Sequence, residues 1–141
     1  MKYVIVYWSR YGNGKKLVEH LAGMLGKKGE TKVLTISEAD PTSMPAADLY
    51  IFSAPQEKFM LQTDMRRFMK TITGLEGRKY GIINTHAMPK RSQLEKMEKL
   101  LSKKQMVKVA AADFRIGPGS QTGNGLMAGW ETKLEEVAGK L

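Results

Sequence analysis

The sequence contains no cysteine, which excludes disulfides, thiolate metal sites, Fe–S clusters and a cysteine nucleophile together. It has only two histidines, and neither stands with Asp or Glu at metal-ligand spacing. A Gly-x-Ser-x-Gly elbow is missing too, so nothing marks a serine hydrolase. No apolar run approaches the roughly 18–20 residues of a membrane-spanning helix. Internal repeats, linkers and low-complexity tails are lacking. Acidic residues are scarce: 14 Asp and Glu stand against 23 Lys and Arg, a net charge of +9. Such a surface favours acidic partners or anionic ligands. The cations are spread over several helical segments, without an aromatic-basic RNA motif, which argues against nucleic acid as the partner.

What is present reads as one ordinary domain. The chain has 141 residues, 42% of them hydrophobic and 26% charged, enough for a single core spanning 1–141. The opening MKYVIVYW is short for a signal peptide and lacks a small-residue cleavage site, so it reads as a strand, and a cytoplasmic location is expected.

Strand-like and helix-like segments alternate from end to end. Lys2–Trp8 is a near-continuous β-branched and aromatic run, the pattern of a strand covered on both faces. Leu17, Val18, Leu21, Met24 and Leu25 then recur at helical spacing within 15–27. Strands are expected at 31–36, 48–54 (ended by Pro55), 79–84 and within 106–116. Helices are expected around Leu61, Met65, Phe68, Met69 and Ile72, and again over 92–104. A last helix should carry Leu126, Met127, Trp130, Leu134, Val137 and Leu141 on its inner side.

This alternation predicts an α/β fold: five parallel strands in the order 2-1-3-4-5, doubly wound, with helices on both faces. Ligands of such folds bind beyond the carboxyl ends of the first and third strands, where the winding direction reverses. The stretch YWSRYGNGKK, residues 7–16, falls at that place and opens a helix. Its small residues suit close approach of a phosphate to backbone N–H groups at a helix N-terminus.

Three kinds of phosphate loop compete for it. A P-loop requires a first Gly and a Ser/Thr after Gly-Lys, but Ser9 and Lys16 occupy those places. A dinucleotide turn requires a third Gly, and Leu17 stands there. The mononucleotide loop of flavodoxins, Ser/Thr-x-Thr-Gly-Asn-Thr, matches at Ser9, Gly12 and Asn13, with strand and helix in register. ADLYIFSAP, KYGIINTH and the terminal helix extend the match along the whole chain, so the sequence resembles the flavodoxin-like family. It departs from that family at Tyr11 and Gly14, where threonines are usual. A receiver-type phosphoacceptor domain of the same architecture is excluded by Ser9-Arg10 and Ser53-Ala54-Pro55, where its acidic residues would be.

The resemblance implies an FMN-binding protein acting as an electron carrier. Its phosphate would be held by Ser9, Arg10, Tyr11, Gly12, Asn13, Gly14 and Lys15, and its ring flanked by Pro55, Gln56, Glu57 and Phe59 and by Asn84, Thr85, His86 and Ala87. No catalytic residue and no metal site is implied. The implied partner is an acidic redox protein, either a reductase or a ferredoxin-type carrier. Because flavodoxins are usually acidic, a +9 chain should have a less negative potential than is usual. Two alternatives share the fold: a module that has lost tight FMN binding and binds anions or partners, and an FMN-dependent oxidoreductase of the quinone or protoporphyrinogen type.

Overall fold

A computed structural model describes all residues, 1–141. Strand β1 (Lys2–Tyr7) leads into helix α1 (Asn13–Leu25), followed by β2 (Glu30–Thr35), β3 (Leu49–Glu57), β4 (Met60–Leu61) and α2 (Thr63–Thr71). Next come β5 (Lys79–His86), α3 (Leu94–Ser102), β6 (Val107–Arg115), a short 3₁₀ turn at Ser120–Thr122 and α4 (Trp130–Gly139). The long strands pair in parallel in the order β2-β1-β3-β5-β6. This is the expected order once β4, an antiparallel addition to β3, is set aside.

Alternate side chains of the central strands divide the core into two layers, as period-2 geometry requires. Val4, Val6, Tyr50, Phe52, Tyr80 and Ile82 pack with α2 and α3 residues such as Met65, Phe68, Met97 and Leu101. Tyr3, Ile5, Leu49, Ile51 and Ile83 pack with Leu17, Leu21, Leu134 and Val137 from the helices of the opposite face. Each such fully buried aliphatic side chain contributes about 1.5–3 kcal/mol. The two layers explain why β1 reads as a continuous apolar run. Buried phenols find main-chain acceptors: Tyr50 donates to the Pro45 carbonyl at 2.6 Å and Tyr3 to the Leu141 carbonyl at 3.1 Å.

Four sequence-based expectations need correction. Helix α1 starts at Asn13, so the Gly-Asn-Gly stretch lies at the helix end itself. Pro55 does not end β3, which runs on to Glu57. Pairing with β1 stops at Ser53, so no β1 partner calls for the N–H that Pro55 lacks. Leu61 belongs to β4 and not to a helix, because the chain turns back at residues 58–59 before α2 begins. Leu126 and Met127 precede the last helix: Leu126 bridges Ile116 in antiparallel fashion, and Met127 is exposed.

Candidate functional site

A cleft of about 540 Å³ opens at the carboxyl ends of β1 and β3. Its walls are Trp8–Tyr11 with Asn13 and Gly14, the β3 end from Pro55 to Lys58, Thr85–Ala87, and Ile116 with Ser120. The cleft lies where the winding direction reverses, as this strand order requires. Its volume falls within the range of small-molecule and cofactor sites.

The N-terminus of α1 forms one end. Gly12 precedes the helix at φ 101°, a left-handed conformation that favours glycine. No side chain caps the helix, and no acidic residue occupies its first turn. Asn13 and Gly14 are nevertheless buried. A buried helix end without a cap leaves N–H donors for a ligand, and the positive end of the helix favours an anion. Ser9 shapes the loop, its Oγ accepting from the Gly12 N–H at 3.1 Å. Ser53, one strand away, has the only buried side-chain polar atom without a hydrogen-bond partner.

The wall across from the helix is pinned by Asn13. Its Nδ2 donates to the Ser120 carbonyl at 2.8 Å, and its Oδ1 accepts from the Gly125 N–H at 2.8 Å. Gly117 N–H donates to the Gly125 carbonyl at 2.7 Å, closing that loop at its base. Close approach requires glycine here too: a Cβ on Gly123 would lie 2.9 Å from the Tyr11 carbonyl. The Gly117–Gly125 stretch is therefore a built wall of the cleft.

Arg10 and Glu57 join the phosphate-loop side to the β3 side. Arg10 donates through Nε to Glu57 Oε2 at 2.7 Å and through Nη2 to Oε1 at 2.9 Å. The same guanidinium lies 5.0 Å from the Trp8 ring centroid, within cation–π range. The hydrogen bond with Glu57, followed by its charge, raises the Arg10 pKa above its ordinary value.

His86 lies on the third wall, 6% exposed. Its Nε2 lies 2.6 Å from Asp113 Oδ2 and its Nδ1 lies 2.8 Å from the Met88 carbonyl. Both partners are acceptors, so each bond forms only when that ring nitrogen carries a proton. Lys133 donates to the Asp113 carbonyl and stands 3.8 Å from its carboxylate, completing a chain from α4 to the cleft.

Of the residues expected at the site, Ser9, Arg10, Tyr11, Asn13, Gly14, Pro55, Gln56, Glu57, Thr85, His86 and Ala87 line this cleft. Gly12 and Lys15 line a smaller, neighbouring depression of about 400 Å³. Two expected residues, Asn84 and Phe59, line neither. Asn84 is fully buried in β5, where its Nδ2 donates to the Ala54 carbonyl and its Oδ1 accepts from Gln93 N–H. It braces β3, β5 and the start of α3, because β5 runs two residues further than its apolar pattern suggests. Phe59 lies at the β3–β4 turn outside the lining, where Arg91 lies over its ring at 5.3 Å.

Sequence reasoning missed Asp113, Ile116 and Ser120. Asp113 stands opposite Asn84 in the β5–β6 register, a relationship only strand pairing reveals. No group of three or more His, Cys, Asp or Glu residues could hold a metal ion, and no helix is long and apolar enough to cross a membrane.

No protein-family model matches the sequence, and a search of curated proteins gives no match. Solved structures do match. A flavodoxin from the domain Archaea is 14% identical with a TM-score of 0.74, covering 98% of this chain and 94% of that one. The two-electron reduced flavodoxin of Megasphaera elsdenii is 14% identical, TM-score 0.74, covering 99% of both chains. Rubredoxin oxygen:oxidoreductase of Desulfovibrio gigas reaches a TM-score of 0.81 at 14% identity, covering 99% of this chain but 34% of its own. The chain therefore has the flavodoxin-like fold.

Proposed function

We propose that this protein binds FMN in the cleft and carries electrons between redox proteins. The observation that carries the reading is the buried, uncapped start of α1 opening into the cleft. Main-chain N–H groups of the loop and of the first helical turn would hold the phosphate, with Ser9 setting the loop. The absence of the usual threonine hydroxyls at Tyr11 and Gly14 does not remove these donors. Pro55, Gln56, Glu57 and Thr85–Ala87 would flank the ring, with Trp8 along the wall.

Bound flavin supplies the electron-accepting chemistry; the chain supplies position, exclusion of water and charge. Lys58 faces the cleft, and with a net charge of +9 it favours an anionic ligand and acidic partners.

The test is a fluorescence titration of FMN, riboflavin and FAD into the flavin-free protein. FMN should be quenched and bound at least about tenfold more tightly than riboflavin, a single charge-assisted site's worth of discrimination. Equal binding of FMN and riboflavin overturns the phosphate assignment, and no binding of either overturns the reading.

A second reading is an anion-binding or interaction module on the same fold. The Arg10–Glu57 pair across the cleft favours it, as does the place of Phe59 outside the cleft lining. It predicts a colourless protein that binds inorganic phosphate and ignores flavin.

A further inference from the structure

Beside the cleft, three large apolar side chains stand in solvent: Phe59 is 56% exposed, Met60 49% and Met88 40%. They form one patch. Arg91 lies over the Phe59 ring, and its N–H donates to the Met88 carbonyl at 3.3 Å, so the β3–β4 turn adjoins the segment after β5.

The turn itself is an unusual choice of residues. Glu57 pairs with Met60, leaving Lys58 and Phe59 as its two central residues, at φ 51° and 66°. Two-residue hairpins with positive φ favour Asn-Gly, because a Cβ is penalised there. Lys-Phe accepts that penalty at both positions and holds an aromatic ring out at the tip. Strain of this kind is kept where surrounding structure or function demands it.

Cations surround the patch. Lys58, Lys90 and Arg91 flank it by sequence and contact, and Arg66 Nη1 reaches Met60 S at 3.8 Å. From Arg66 the positive charge continues along α2 and α3 through Lys70, Lys96, Lys99 and Lys103. Desolvation, then the fields of Lys70, Lys103, Lys99 and Arg66, lower the Lys96 pKa. The ion pairs of the protein all engage other cations.

We propose that this patch docks an acidic protein, with an apolar partner side chain seated among Phe59, Met60 and Met88 and partner carboxylates meeting Arg66, Arg91 and the α2–α3 lysines. An apolar centre of aromatic and Met side chains inside a polar rim is the anatomy of a protein–protein contact. Met and Phe add little to a phosphate backbone, so the apolar centre favours a protein, and the cationic rim favours an acidic one. The patch adjoins the cleft through Lys58, so a docked protein would stand close to whatever the cleft holds. That purpose rests on the electron-carrier reading; the docking itself requires no flavin.

The experiment uses the 141-residue, ¹⁵N-labelled, flavin-free protein. Amide shifts are followed on titration with an acidic peptide, Glu-rich with one central Leu, with the same peptide carrying Ser for Leu, and with oligo-dT. The Leu peptide should perturb residues 58–60, 88 and 91 and bind about tenfold more tightly than the Ser peptide. Phe59→Ser should weaken the Leu peptide about tenfold and leave the Ser peptide unchanged. Because Phe59→Ser leaves the positive φ in place, Lys58→Asn with Phe59→Gly serves as a second variant. It should melt at a higher temperature and still bind poorly. Equal binding of the two peptides, shifts scattered over other lysine faces, wild-type binding by either variant, or tighter binding of oligo-dT at this patch would each overturn the proposal. If flavin fails to bind while the peptide maps to 58–60 and 88–91, the carrier reading falls and the docking surface stands; the reverse result separates them the other way.

Discussion

Arg10 and Glu57 face each other across the cleft with both guanidinium-to-carboxylate hydrogen bonds made, at 2.7 and 2.9 Å. The pair links the loop before α1 to the end of β3, two walls that meet nowhere else through charged side chains. It also ties up the charge of Arg10, which lines the cleft.

Glu57→Gln should therefore strengthen phosphate-bearing ligands, because it frees the Arg10 charge for the anion. Arg10→Gln should weaken them. About fivefold in each direction is the scale for a solvent-accessible pair, and the difference should shrink at high salt. FMN and inorganic phosphate titrations at two ionic strengths check the sign; a loss of binding in Glu57→Gln would show that the pair orders the site instead.

Asn13 and Asn84 should behave as different kinds of residue despite similar chemistry. Asn13→Ala removes both bonds to the Gly117–Gly125 wall and leaves the Gly125 N–H unpaired in a buried position. A cost of about 1–3 kcal/mol in urea unfolding should accompany weakened FMN binding. Asn84→Ala should cost a similar amount of stability with little change in ligand affinity, since its partners lie between strands and α3.

Alkaline pH should unfold the protein through its buried phenols. Burial is the leading cause that pushes Tyr80 from 10.0 up to about 12, and it raises Tyr3 and Tyr50 as well. Between those values the unfolded chain gives up the Tyr80 proton while the folded chain keeps it, so the folded state binds more protons. Stability is then fully present below pH 10, falls as pH rises from there, and stops falling on this account above about 12. Urea midpoints measured from pH 8 to 12, with Tyr80→Phe as control, check this: the variant should show a shallower decline.

The hairpin carries a prediction of its own. Replacing Lys58-Phe59 with Asn-Gly should stabilise the protein by about 1–2 kcal/mol, because the Cβ penalty at positive φ disappears. Thermal unfolding of the double variant measures it.

The fold was legible because its signals are periodic. Leu17, Val18, Leu21 and Leu25 announce a helix face, and the unbroken run in β1 announces a strand with both sides covered. Alternation and right-handed crossovers leave few topologies, and five strands at this length suit the 2-1-3 arrangement. Legibility failed where local and tertiary signals disagreed. Pro55 is a strand breaker in isolation, yet it sits where β1 has already ended. Leu61 fits a helical face, yet a turn with two residues at positive φ turns it into a strand. Asn84 ends the expected fourth strand and is placed beside the ring by the resemblance, whereas it is a fully buried brace. Asp113 meets His86 only through the pairing of β5 with β6, and nothing local to either residue says so.

The uncapped start of α1 has a consequence for how much sequence change the site can tolerate. Donors that belong to the main chain are not encoded by the identity of the residue that carries them. Tyr11, exposed and lining the cleft with its backbone close by, should accept many substitutions with little loss of anion binding. Gly12, held at φ 101°, should accept almost none. A saturation scan across residues 9–15, scored on ligand retention, should thus show its sharpest minimum at Gly12, lesser losses at Arg10 and Asn13, and tolerance at Tyr11. A motif written in side chains misses a site of this kind; one written in backbone conformation finds it.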